Sequence, residues 1–271
     1  MSLQAITCNG CGGAIAMAAG ASGPKCLFCG SESLVTTAAP EDLEQAEVYV
    51  PFSVDAAGAK EVFQTFAKSS WFHPSDLRQS QLNVEDVLVP AWVWSGDLET
   101  HYAAIVHAAT QSGKRPITGQ DDTHISNALV LAGSTLTRAE LSALAPFSHE
   151  HTEPFEGEGT PHPFELSRLT RSVAREEAKA AMRDAHAGHI RAHHNAIEVS
   201  ASSLYDNLDG RPLLLPVYIG AYRYKDTLYR LVINGQTGAY TGDGPLSLWR
   251  VLFVVAAGIA VIGAIAAFFL N

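Results

Sequence analysis

Four cysteines within the first 30 residues form the clearest chemical pattern in the sequence. They make two Cys-x-x-Cys pairs, each followed directly by a glycine: Cys8, Cys11, Cys26 and Cys29. Two intervening residues let both thiolates of a tight turn face one ion, and two such turns complete a closed tetrahedral site. The pattern predicts one structural Zn²⁺ ion in an N-terminal zinc ribbon, with an iron–sulfur centre as the alternative.

The surroundings of these cysteines limit what the ribbon can do. Residues 1–36 are too few to bury a core, so metal binding would supply their folding free energy. The N-terminus lacks the basic start and apolar run of a secretory signal, so we expect this part in the reducing cytosol. Lys25 is the only basic residue before Lys60, and the whole chain has a formal net charge of −10. Nucleic acid is therefore not an expected partner.

Histidines form the second group of residues with metal-binding chemistry. His186, His189 and His193 share one face of a predicted helix, so whether they bind a second metal stays open. No Asp, Glu or Cys at motif spacing completes a ligand set. The sequence also lacks a Gly-rich phosphate loop, a Gly-x-Ser-x-Gly elbow and a His-Glu-x-x-His motif. We therefore predict that the chain is not an enzyme, and keep an unrecognised enzyme centred on the histidine helix as a third possibility.

The elements that position these groups indicate an α+β protein. A polar, acidic stretch with Pro40 predicts a linker over residues 37–47, between the ribbon and a cytosolic α+β domain over residues 48–245. Asp55 is placed to cap one helix. Thr137 and Glu140 form a capping box for a short helix that ends near Leu144.

Strand patterns occupy much of the central domain. Strand character over residues 82–94 is followed by a second strand, an exposed loop over residues 112–122 and a third strand. Residues 149–165 are acidic and aperiodic and predict a loop, and a long helix is predicted from Glu165 to about Asn195. Antiparallel strands with tight turns at Lys225-Asp226 and Asn234-Gly235 follow, and we interpret the NGQTG stretch as a hairpin turn, not a phosphate loop.

The last 26 residues, 246–271, are predicted to form a tail anchor. Residues 251–270 are uncharged and apolar, and 20 helical residues at about 1.5 Å each span about 30 Å, the thickness of a bilayer core. The alternative is a buried core helix, but such a helix is rarely apolar on every face. Trp249 and Arg250 precede the run, which suits the cytosolic interface. We expect a single-pass protein with its N-terminal bulk in the cytosol.

Beyond these patterns, the chain resembles a family of bacterial zinc-ribbon membrane proteins, often labelled TFIIB-type zinc ribbon-containing protein or, misleadingly, primosomal protein N′ (replication factor Y). The resemblance covers most of the chain. It depends on the four cysteines and on five further markers: Pro51-Phe52, Trp71-Phe72, residues 74–77, the 222–229 strand pattern and residues 234–238. It implies a bacterial cytoplasmic-membrane protein in a membrane-associated assembly, with SPFH (stomatin/flotillin-like) or phage-shock-type proteins as candidate partners. The helicase label is discarded, since the chain has no Walker-type loop.

Together these features predict a non-enzymatic, membrane-anchored zinc-ribbon adaptor or scaffold subunit. It would bind a membrane-associated protein partner and contact the lipid bilayer through residues 251–270. The alternative is a membrane-tethered regulator whose ribbon contacts nucleic acid or polymerase, and the missing basic patch counts against direct nucleic-acid contact.

Overall fold

A small antiparallel sheet forms the N-terminal end of the protein. The computed structural model describes residues 4–9, 14–17, 31–38, 43–109 and 113–270, with side chains for all of these except 4–8, 14–17, 36–38, 158 and 263–270. Three strands, β1 (Gln4–Cys8), β2 (Ala14–Met17) and β3 (Leu34–Ala38), pair in the order β2-β1-β3. Leu34 packs against the core of the central domain, so the small sheet lies against that domain.

The predicted linker is partly fixed to the domain surface. β3 extends to Ala38, two residues into the predicted linker. Further on, the Arg171 guanidinium donates to both carboxylate oxygens of Glu44, at 3.1 and 2.8 Å, and holds the pKa of Glu44 below its usual value. Ala46 is buried against the domain. The described part of the 37–47 segment is therefore packed in place.

Two very long strands form the centre of the larger sheet. β5 (Leu82–His107) and β8 (Ala196–Tyr224) pair antiparallel from Leu82↔Tyr222 to Val106↔Ala196. β6 (Lys114–Leu131) pairs with the other edge of β5. We call the part of these three strands beyond residue 97 of β5 the finger. It ends in the connection between β5 and β6.

Shorter strands extend the sheet on the other side of β8. β9 (Thr227–Asn234) forms a hairpin with β8 around Lys225-Asp226, and β10 (Tyr240–Gly242) pairs with β9. These two hairpins confirm the predicted turns. β4 (Val48–Tyr49) meets β8 in a parallel bridge and pairs with β7 (Glu153–Pro154).

The prediction was wrong about the strand boundaries before residue 131. Residues 82–107 are one strand and not two, because residues 95–97 form a bulge within β5 and the strand continues through it. Gly96 lies at this bulge, and a Cβ there would approach Leu208 to 2.9 Å. Most of the loop predicted over residues 112–122 belongs to β6, in which polar residues are tolerated because most of them face solvent.

The described chain contains four α-helices, of which α1, α2 and α3 pack on this sheet. α1 (Ala56–Lys68) is capped by Asp55, which accepts from the Gly58 amide at 2.7 Å, and α2 (Arg138–Leu144) begins with the predicted Thr137/Glu140 capping box. α3 (Arg171–His193) begins six residues later than predicted, with Thr170 as its N-cap. α4 is Leu248–Leu270. Among the described residues, no helix meets the length and hydropathy expected of a membrane span.

The apolar residues are divided between the two faces of the sheet. On one face, alternate residues of β5 and β8, including Val89 and Leu215, pack under Leu144 of α2. On the other face, α1 packs over Tyr218 and Tyr222, and α3 covers Trp92 and Trp94. The sheet is thus buried on both faces near its middle, whereas the finger is covered only by α3 and is solvent-exposed on its other face.

Candidate functional site

The small sheet carries the first cysteine and pairs its strand with one that follows the last cysteine in the sequence. β1 ends at Cys8, the first cysteine, and Cys8 is paired with Leu34 at the start of β3. The Asn9 amide donates to the Ser33 carbonyl at 3.0 Å, which extends this pairing beyond the strand. Ser33, four residues after Cys29 in the sequence, therefore lies beside the end of β1 at Cys8.

In a zinc ribbon, two cysteine turns meet at one end of a short antiparallel sheet. The structure describes only the backbone of Cys8, and Cys11, Cys26 and Cys29 lie outside the described residues. Four thiolates would make a closed site without an open position. Its role would be to hold the ribbon together, since structural zinc sites supply folding free energy.

The predicted histidine face of α3 exists, but it is used in a different way. His186 is 3% exposed, and both ring nitrogens are already engaged: Nδ1 with the Thr100 hydroxyl at 2.9 Å and Nε2 with the Asp121 carboxylate at 2.9 Å. His189 and His193 stack with ring centroids 6.3 Å apart. Across the described part of the chain, no cluster of three or more His, Cys, Asp or Glu residues is arranged to hold a metal ion.

Asp121, His186 and Thr100 contact one another in the order carboxylate, imidazole, hydroxyl, which is the order of groups in a catalytic triad. A carboxylate orients an imidazole, and the imidazole contacts a hydroxyl. The Thr100 side chain is fully buried, however, and its hydroxyl also contacts Ser203 at 2.7 Å. A hydroxyl without access to substrate cannot attack one, so we assign this network to fixing α3 on the finger.

The base of α4 is clamped to the domain by Arg250. Its guanidinium donates to the carbonyl of Trp71 at 2.5 Å and to the carbonyl of His73 at 2.7 Å, and it lies over the Trp71 ring at 5.6 Å from the centroid. The Ser247 amide donates to the Phe72 carbonyl at 2.8 Å. The helix therefore leaves the domain in a direction set by residues 71–73.

Residues 71–73 are in turn held by the end of α1. The ring of His73 packs against Phe66 with centroids 5.0 Å apart, and its Nδ1 lies 3.2 Å from the Phe66 carbonyl oxygen. Next to it, Tyr222 is buried under α1 and donates to the Asp243 carbonyl at 2.8 Å. Burial raises the pKa of Tyr222, and the nearby Tyr229 and Asp243 add to this, so the hydroxyl stays a donor.

The described side chains of α4 beyond Arg250 are apolar, and from Leu252 onward they are exposed on every side. Successive residues of a helix advance by about 100°, so four consecutive residues cover most of its circumference. All four residues from 252 to 255 are exposed: Leu252, Phe253, Val254 and Val255. Trp249 at the base of the helix is 80% exposed, and Trp71 beside it is 55% exposed. Such a surface is not stable in water without a cover.

Two contacts of this candidate site were not predicted from the sequence. The Arg250 clamp depends on carbonyl oxygens of residues almost 180 positions earlier, and carbonyls carry no residue signature. The Trp71-Phe72 pair, one of the markers of the resemblance, lies beside α4, with the ring centroids of Trp71 and Phe253 6.5 Å apart. Thr100 and Asp121, the partners of His186, lie 86 and 65 residues from it and show no motif spacing.

Comparison with known proteins gives no family and no function for this chain. Neither the protein-family models, nor the curated proteins, nor the solved structures contain a match to this chain. The features that bear on function are the base of α4, the small sheet and the charge of the domain.

Proposed function

We propose that this protein is a non-enzymatic adaptor or scaffold subunit that α4 anchors in the bacterial cytoplasmic membrane. Its zinc ribbon and α+β domain would lie on the cytosolic side and bind a membrane-associated protein partner. The observation that carries the proposal is the exposed, all-round apolar surface of α4 above a base that is rigidly held by the domain.

The length of α4 supports a membrane as the cover for that surface. Its 23 residues correspond to about 35 Å at the rise of an α-helix, enough for the hydrocarbon core. Arg250 is the last charged residue before the apolar run. Arginine prefers the cytosolic end of a span, and indole rings prefer the interface, which matches exposed Trp71 and Trp249 at the same level.

The electrostatics of the domain support a protein partner over nucleic acid. The net charge of −10 repels phosphate backbones, and clustered Lys and Arg are what nucleic-acid binding requires. Tethering to a surface raises the effective concentration of a weak binder near partners in the same membrane. A zinc ribbon with a single basic residue, Lys25, is suited to that kind of protein contact.

A membrane-wash experiment tests the anchor. We expect the full chain to stay with bacterial membranes after washing with high salt and then carbonate, because hydrophobic transfer of about 20 apolar residues is not reversed by either. A matched variant that ends at residue 250 keeps the Arg250 clamp and should appear in the soluble fraction. Release of the full chain by carbonate, or membrane retention of the shortened variant, would remove the basis of the proposal.

A further inference from the structure

The outer edge of β6 is available for pairing. Within the described residues, β6 pairs with β5 along one edge and with no strand along the other. A free edge presents a row of backbone N–H and C=O groups to any second strand that approaches. Proteins usually discourage such contacts with charges or proline, and β6 carries both. The placement of these charges decides which strand the edge can accept.

The charges of β6 are arranged symmetrically about Thr118. Lys114 and Arg115 lie four and three residues before it, and Asp121 and Asp122 lie three and four residues after it. Two copies of this strand aligned antiparallel with Thr118 opposite Thr118 would set Lys114 against Asp122 and Arg115 against Asp121. Opposite charges directly across an antiparallel pair stabilise it, and like charges destabilise it.

Each of these pairs also falls on a single face of the sheet. Side chains alternate between faces along a strand, so Lys114, Thr118 and Asp122 share one face and Arg115 and Asp121 share the other. Asp121 lies on the face covered by α3, where it accepts from His186. Its side chain is still 46% exposed and has room for an arginine.

One face of the finger sets two carboxylates opposite each other, of which Glu99 contacts His101 at 3.2 Å and accepts from Gln120 at 3.0 Å. Asp122 is directly opposite Glu99 in the β5–β6 ladder, and it forms none of the ion pairs found among the described residues. Two carboxylates opposite each other repel. Lys114 from a second copy would arrive next to both of them.

We propose that two copies of this chain associate through β6, antiparallel and centred on Thr118. The two three-stranded fingers then form one continuous sheet, and four ion pairs flank the two-fold axis. Pro116 would face Gln120 of the second copy and lacks an N–H, so at most one hydrogen bond of the ladder is lost in each half. Gly119 faces Ile117 of the second copy and adds no bulk.

Charge reversal on one strand tests this pairing with the full chain in detergent. Lys114→Glu alone sets Glu against Asp122, and Asp122→Lys alone sets Lys against Lys114. Each variant should raise the dimer dissociation constant by about tenfold or more, whereas an equimolar mixture of the two should restore wild-type dimerisation, because both cross-pairs are then complementary. Light scattering after size exclusion, over a range of concentrations, measures the mass.

Matched controls make the same charge changes at an exposed turn far from β6. Lys225→Glu and Asp226→Lys should dimerise like the wild type. The proposal is overturned if the wild type stays monomeric at all concentrations, if the β6 variants dimerise as well as the controls, or if mixing them restores nothing. If the chain dimerises through α4 instead, the β6 variants will dimerise as well as the controls.

Cross-linking tests the register. Residues directly opposite each other in an antiparallel pair have Cβ atoms about 4.5–5.5 Å apart, close to what a disulfide needs. Thr118→Cys should therefore give a cross-linked dimer on mild oxidation beyond the wild-type background, and Gln120→Cys on the same face should not. Cross-linking of Gln120→Cys in place of Thr118→Cys would establish a different register and overturn this one.

Discussion

Asn234 offers the sharpest test of how the domain is held together. Its side chain is fully buried at the end of β9. The amide nitrogen donates to the carbonyls of Leu144 at 2.9 Å and Pro146 at 3.1 Å, and the amide oxygen accepts from the backbone of Gln236 and Thr237 at 2.8 and 3.1 Å. One residue thus closes the β9–β10 turn and caps the last carbonyl of α2.

We predict that Asn234→Ala lowers the free energy of unfolding by about 2–4 kcal/mol. Of the four groups that lose a partner, the Leu144 carbonyl belongs to a fully buried residue, whereas the turn amides of Gln236 and Thr237 lie on partly or fully exposed residues that water can reach. One buried unsatisfied carbonyl costs about 1–3 kcal/mol, and the remaining bonds add about 1 kcal/mol after water replaces them.

Gln236 provides a matched control two residues away. It also makes two hydrogen bonds between the same segments, donating to the Ser148 carbonyl at 3.0 Å and accepting from the Ser148 amide at 2.8 Å, but at an exposed position. Gln236→Ala should cost less than about 1 kcal/mol, because water replaces both partners. Denaturant unfolding followed by tryptophan fluorescence measures both variants, and equal effects would refute the reasoning from burial.

Two further predictions concern the ribbon and the charge of the domain. The full chain should contain about one Zn²⁺, and Cys26→Ser should lose it because three thiolates leave the tetrahedron open. The control variant Ser202→Ala, in β8, should retain the ion. Elemental analysis that shows no zinc in the wild type would contradict this prediction. The variant ending at residue 250 should give no gel shift with mixed-sequence duplex or single strands at about 0.15 M salt, and submicromolar, salt-sensitive binding would favour the nucleic-acid regulator.

Local signals accounted for the parts of the fold that were predicted correctly. The caps at Asp55 and Thr137 act within one helical turn, and the Lys225-Asp226 turn connects strands that are adjacent in sequence. These features depend on a few neighbouring residues. Local sequence patterns are therefore sufficient to predict these caps and turns.

The continuity of β5 and the existence of most of β6 were missed for a physical reason. Gly96 and Asp97 are typical of a turn, but here the partner strand has a matching irregularity at residues 206–209, so both strands bend together and continue. In β6, Pro116 and Gly119 also favour a turn. A strand with a free edge tolerates them, since its backbone is paired on one side only.

The candidate site was predictable only where residues are close in sequence. The cysteine spacing indicated zinc because the ligands of each turn are three positions apart. The buried state of His186 depends on α3 lying on the finger, and the Arg250 clamp depends on the path of residues 71–73. Both result from packing between distant segments, which local patterns do not encode.

The unbroken length of β5 and β8 determines how far this protein reaches. The base of α4 lies near the Leu82 and Tyr222 end of the ladder, and the connection between β5 and β6 lies at the opposite end. At about 3.3 Å per residue, the 26 residues of β5 measure at most about 85 Å along the strand. Three hydrogen-bonded strands and α3 stiffen the finger, so the finger would act as a spacer when α4 anchors the chain as proposed. It would hold the charged end of β6 tens of ångströms from the bilayer, and the length of the strands would set that distance.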